Sequence, residues 1–185
     1  MKTADVIAAL GRRKPRFALA ETRRWADAYD YEVGDQSIID AIAPAVRRRG
    51  HFTRDEFLAT YAWKTRRTLK HAEKHTDQAI ADVTGVAFRQ TDERLRIDVL
   101  CALAGVDYPV ASVLLHVGLS SEYPIIDYRA LWSLHAGQPS YYSFNVWWSY
   151  VKCCQAVAER AGVTVRELDQ ALWAYSDAKQ PSGTR

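Results

Sequence analysis

Thr53-Arg54-Asp55-Glu56 and Thr164-Val165-Arg166-Glu167 each set a hydroxyl three positions ahead of a carboxylate, at the head of an apolar run with helical spacing. That arrangement satisfies two backbone N–H groups reciprocally at a helix start, so it commits both segments to helix. Start and stop signals recur along the whole chain. In "DQSIIDAIAPAVRRRG", Asp35 is a candidate N-cap, positions 38, 39, 42 and 46 are apolar, and Gly50 is a stop; Pro44 allows a kink or an early break. "DERLRIDVLCALAG", "PVASVLLHVG", "DYRALWSLHAG" and "FNVWWSYVKCCQAVAERAG" each end at glycine. No two alternating runs are joined by a hairpin turn, so no sheet is expected. The expected fold class is all-α, with about eight to ten short helices.

With 185 residues, 48% of them apolar, the chain suffices for one domain or for two small lobes. No run reaches the roughly 18 apolar residues of a membrane span, and the first residues lack a signal-peptide core; a cytoplasmic protein without membrane contact is expected. Cys101, Cys153 and Cys154 form no CxxC pair and have no histidine at ligand spacing, so neither a metal nor another cofactor is expected. Charge is unevenly spread. Residues 1–74 carry 16 Lys/Arg against 10 Asp/Glu, and residues 75–185 carry 9 against 12. The cations gather in "GRRKPR", "TRR", "RRRG" and "WKTRRTLK", interleaved with Trp25, Tyr29, Tyr31 and Trp63. Such a pattern suits a polyanion whose bases can stack, and equally a solvated helical face.

"LCALAGVDYPVASVLLHVG" reads as two helices around a tight turn, a helix-hairpin-helix. Gly105 permits the turn, and Pro109 suits the first helical position because its missing N–H would be unsatisfied there. Backbone N–H groups of such a turn and of the second helix can take a DNA phosphate without reading sequence; a hairpin made purely for packing is the alternative. Farther on, "PIIDYRAL" sets Asp127 at the start of another helix, where it is an N-cap candidate.

Leu103, Gly105 and Val106, then Ala111, then Pro124-Ile125-Ile126-Asp127 resemble the helix-hairpin-helix superfamily of DNA base-excision glycosylases, over roughly residues 95–135. The family pattern is a hairpin LxGVG, an alanine on an apolar helix, and a proline three positions before the catalytic aspartate. The resemblance implies a two-lobed helical bundle with the active cleft between lobes: a single unit over 1–175, its motif region at about 91–136, and a flexible tail at 176–185. It implies Asp127 as the catalytic residue, and DNA with a flipped-out base as the partner; no protein partner is implied. Gly105, Val106, Tyr108 and Ala111 are the expected DNA-binding residues of the hairpin, with Lys64 and Arg66 as further phosphate contacts. Trp63, Tyr128, Trp25 and Tyr29 are base-pocket candidates, although Trp63 also reads as a core aromatic and Trp25 and Tyr29 as part of a docking segment with Tyr31. His116, on an apolar helix, reads as a satisfied core histidine. Of Trp147 and Trp148, only one can face inward.

The departures from the family pattern carry expectations too. Asp107 replaces the second hairpin glycine and would repel a phosphate. Pro109 stands where bifunctional members carry a Schiff-base lysine, so a monofunctional enzyme is expected, one that leaves an abasic site unnicked; Lys64 or Lys152 would have to supply an amine otherwise. Trp132 stands where the family often carries an arginine, Arg129 being the nearest, and the four-cysteine iron–sulfur loop is missing. A non-catalytic helix-hairpin-helix DNA-binding protein, with Asp127 only a cap, is the alternative reading.

Overall fold

The computed structural model describes residues 1–30 and 35–181, the side chains of 35–38 excepted. Among the described residues the regular elements are α1 (Thr3–Gly11), a 3-10 turn (Leu19–Glu21), α2 (Thr22–Asp27), α3 (Asp35–Arg49), α4 (Arg54–Lys64), α5 (Leu69–Ala72), α6 (Asp77–Arg89), α7 (Glu93–Leu100), α8 (Tyr108–Gly118), α9 (Tyr128–Ser133), α10 (Phe144–Ala161) and α11 (Val165–Lys179). The fold is all-α, and none of the described helices is long and apolar enough to cross a membrane. Two compact units divide the chain: Met1–Asp30 with Pro124–Arg185, and Tyr31–Tyr123. The division falls inside the 91–136 motif region, which puts the hairpin in one unit and Asp127 in the other.

In the first unit α11 packs on α2, α9 and α10, and α1 packs on α10. Helix α10 buries Val146, Trp147, Tyr150, Val151, Cys153, Cys154, Val157 and Ala158, the stripe a helical period of 3.6 demands. Ser143 caps its start, and Gly162, at φ +65°, supplies the left-handed residue that ends it. As expected, only one of the adjacent tryptophans turns inward. Trp147 is fully buried, whereas Trp148 is half-buried, stacked on Phe144 under the Lys152 ammonium.

In the second unit α8 is buried from Val110 to Gly118, which explains why its sequence is apolar all round. Helices α3 and α4 pack on it, and α6 packs on α7. The capping box at Thr53 and Glu56 forms as expected, and so does the one at Thr164 and Glu167 in the first unit. Pro44 sits within α3 without ending it.

Several boundaries differ from expectation. Helix α7 stops at Leu100, five residues short of Gly105, because residues 101–107 make successive turns instead. Helix α9 stops at Ser133, and the left-handed residue that follows is His135, at φ +60°, rather than Gly137. The tail boundary at 176 is corrected: α11 runs on to Lys179 and buries Ser176. Residues 182–185, Tyr31, Glu32 and the side chains of Asp35 and Ile38 lie outside the described residues.

Candidate active site

Asp127 follows the buried Pro124, Ile125 and Ile126, and is itself half-buried. Its extended backbone (φ −152°, ψ 175°) marks the N-cap of α9, and its Oδ1 accepts the Ala130 N–H at 2.8 Å. The carboxylate is thus both cap and fixed charge. One oxygen is oriented by the backbone, and the backbone at Ile125, two residues earlier, is oriented in turn. The Ile125 N–H donates to Oδ1 of Asp169 (3.2 Å), and the Ile125 carbonyl accepts the Tyr150 hydroxyl (3.3 Å). Tyr150 lies 3.4 Å from the same Asp169 oxygen, and Arg166 Nη1 donates to Asp169 Oδ2 at 2.8 Å. Burial pushes the Tyr150 hydroxyl well above its ordinary pKa, and Cys154, Asp169 and Asp127 add to this, so it remains a donor at any working pH.

These three residues, Tyr150, Asp169 and Arg166, are functional candidates that the sequence reading missed. A signal existed: Asp169 falls on the apolar stripe of α11, beside Val165, Leu168 and Leu172, where a lone acid calls for buried partners.

The first unit also carries a cluster of aromatic and cationic side chains that includes Tyr128, the residue after Asp127. Arg129 lies 5.5 Å from the Tyr128 ring and 5.0 Å from that of Trp173, and pairs with Asp177 at 3.0 Å. Arg166 lies 5.4 Å from the Tyr29 ring, which meets Trp173 edge-on at 5.4 Å. Tyr128 and Tyr29 therefore belong to one cluster with Trp173. Trp25 lies on α2 and packs edge-on against Tyr175 at 5.0 Å, its indole N–H buried without an acceptor among the described residues. The Arg16 guanidinium sits 4.4 Å over the Trp132 ring.

The second unit holds the hairpin, and there packing dominates. Gly105 has φ +90°, and a Cβ would come within 3.0 Å of both the Tyr61 hydroxyl and His71 Cβ. The Tyr61 hydroxyl donates to the Gly105 carbonyl at 2.6 Å, and His75 Nε2 lies 3.1 Å from that of Ala104. Val106 is buried and its N–H bonds back to Leu103. Ala111 is fully buried and offers no surface to a ligand. Pro109 is the second helical residue rather than the first, since α8 starts at Tyr108. Asp107 is the N-cap, its Oδ1 accepting the Val110 N–H at 3.1 Å. Its own carboxylate thereby fills the place where an anion would meet that helix. The Tyr108 hydroxyl donates to Asp98 (2.7 Å); burial, then Asp98, raises its pKa.

Lys64 ends α4 half-buried, Arg66 is exposed beyond it, and Trp63 is half-buried. His116 is a buried histidine, with Nδ1 2.9 Å from the Tyr123 carbonyl, as expected of a core residue. Several cations of the basic clusters serve the fold: Arg47 donates to the Val117 and His116 carbonyls ending α8, Arg23 to that of Gly162, and Arg49 pairs with Glu56; Arg54, outside the clusters, donates to the carbonyls of Glu73 and His75. Burial raises the Cys101 thiol to about 12 and the Cys153 thiol to about 11, so neither is a nucleophile at neutral pH. Among the described residues no three His, Cys, Asp or Glu side chains gather to hold a metal ion. No family model, curated protein or solved structure matches this chain.

Proposed function

We propose that the protein is a monofunctional DNA glycosylase in which Asp127 drives hydrolysis of an N-glycosidic bond. The observation that carries this reading is the half-exposed Asp127 carboxylate, held by the Ala130 N–H and seated on a peptide that Asp169 and Tyr150 clamp. As the base departs with the bonding electron pair, positive charge builds on the deoxyribose. A fixed carboxylate beside C1′ stabilises that charge with little reorganisation. Water then adds to C1′, and its proton passes to the carboxylate or to solvent. The base must first leave the duplex, and the rings of Tyr128, Tyr29 and Trp173, gathered around Arg129 and Arg166, would receive it by stacking. With Pro109 in the lysine position, the product is an abasic site in an intact strand. Housekeeping repair of a damaged base and defence against modified phage DNA are both roles open to such chemistry.

The second reading, a DNA-binding protein in which Asp127 only caps α9, draws on the same 2.8 Å bond. Paired substitutions separate the two. Asn caps a helix about as well as Asp, whereas Ala costs about 1 kcal/mol of stability. Under the enzyme reading Asp127→Asn keeps the fold and DNA affinity and abolishes base release. Base release by Asp127→Asn at the wild-type rate leaves only the cap. Borohydride trapping of an enzyme–DNA adduct would overturn the monofunctional assignment.

A further inference from the structure

Four cations stand within five residues in "RRKPR": Arg12, Arg13, Lys14 and Arg16 are all exposed. No carboxylate among the described residues pairs with any of them. The loop is nonetheless held firmly. Pro15 and Phe17 are buried between the exposed positions, and the Phe17 ring packs on Tyr175 at 5.1 Å. The Arg16 N–H donates to the Ser133 carbonyl (2.8 Å), its Nε donates to that of Trp132 (2.7 Å), and Arg160 Nη1 donates to that of Arg13 (2.9 Å). Stacked on Trp132, Arg16 has its guanidinium plane fixed, and its two Nη groups remain for a ligand. His135, in its left-handed conformation just past α9, joins the same surface.

We propose that this ledge, Arg12 to Arg16 with His135, is a binding surface for the phosphate backbone of DNA. The inference rests on the DNA-glycosylase reading for its partner and replaces the hairpin as the main phosphate contact. The ledge lies in the same unit as Asp127. With α9 rising about 1.5 Å per residue and the two residues beyond it spanning at most about 7 Å, His135 lies within about 16 Å of Asp127 along the chain. A strand advances about 3.4 Å of axis per nucleotide, so the ledge meets phosphates a few nucleotides from the sugar at Asp127. Four cations along up to about 13 Å of chain match a row of phosphates better than a single small anion. A lipid surface fits less well, because the loop's apolar residues, Pro15 and Phe17, are buried and leave nothing to insert. The hairpin cannot serve as well, because Asp107 occupies its helix start.

The test is binding of a fluorescein-labelled duplex of about 20 base pairs across a salt series. It compares wild type, Arg12→Ala/Lys14→Ala and Lys64→Ala/Arg66→Ala; anionic phospholipid vesicles serve as a second probe. Arg12 and Lys14 make no side-chain bond among the described residues, so their double variant should unfold with the wild-type midpoint. Each lost phosphate contact lowers the slope of log K against log salt by about 0.9, so this variant should lose about 1.8 and bind at least about tenfold more weakly at low salt. An unchanged slope and affinity, no DNA binding by wild type, or binding to vesicles alone would overturn the proposal. Base release is scored separately. DNA binding that depends on Arg12 and Lys14 without base release keeps the ledge and removes the enzyme; base release with an unchanged slope does the reverse.

Discussion

Asp169→Ala removes a carboxylate that is 6% exposed and has three donors directed at it. Two losses follow. The Arg166 guanidinium, whose side chain is 15% exposed, is left without this partner, and breaking one side of a buried pair typically costs about 3–5 kcal/mol. The buried Ile125 N–H also loses its acceptor, which costs about 1–3 kcal/mol. The terms overlap because water fills part of the gap, so we expect about 3 kcal/mol in all. That is a large part of the roughly 5–15 kcal/mol typical of a folded chain. For a chain of this length it lowers the melting temperature by roughly 6–12 °C. Urea unfolding and a thermal scan supply the measurement. Asp169→Ala combined with Arg166→Met should recover part of the loss, since an apolar pair of similar volume carries no uncompensated charge. A loss below about 1 kcal/mol, or no recovery in the double variant, would refute the claim that this pair clamps the Asp127 peptide.

Gly118→Ala places a Cβ 2.3 Å from Phe88 Cζ and 2.7 Å from Phe52 Cε2, in the middle of the second unit's core. Overpacking of that kind costs about 1–3 kcal/mol, read from the urea midpoint. Glu167 gives a pH signature. Hydrogen bonds from the Thr164 backbone and hydroxyl hold its pKa below the ordinary 4.5. A depressed carboxyl stabilises the fold above the unfolded-state pKa, and this is lost as pH falls through the lower folded-state value. Glu167→Gln should therefore flatten the acid limb of stability below about pH 4.5, and an unchanged limb would contradict the capping account. His135, whose pKa is lowered by burial and then by Arg16, Arg12 and Lys14, should titrate below 6.5 by NMR and move upward in Arg12→Ala.

The local rules carried most of the fold. Thr53, Thr164, Gly50 and Gly162 mark helix ends through chemistry that spans only three or four residues, so the sequence displays it directly. The boundaries that differed depend on tertiary contacts. Helix α7 ends at Leu100, and the Gly105 turn beyond it is held by the distant Tyr61, while α9 ends at Ser133, two residues before a left-handed His135 that no glycine announces. Asp127 was legible as a cap candidate because capping is local. Its support was not, since Tyr150 and Asp169 reach it from 23 and 42 residues later in the chain. The basic clusters were ambiguous for a similar reason. Whether an arginine faces solvent or a helix's last carbonyls, as Arg47 does, depends on a partner about 70 residues away. Gly105 does lie between two helices, although α7 ends five residues before it, and the use of Asp107 as the N-cap of α8 turns an expected anion site into a closed one.

The most direct test is base release. Purified protein, as wild type and as Asp127→Asn, is incubated with duplexes carrying alkylated purines, deaminated or mismatched pyrimidines, or hypermodified phage bases. Abasic sites are then counted. Abasic sites in unnicked strands are expected from at least one substrate, and none with Asp127→Asn, which keeps the cap and the fold. DNA bound by both proteins, with no base released from any substrate, would contradict it and return Asp127 to a purely structural role.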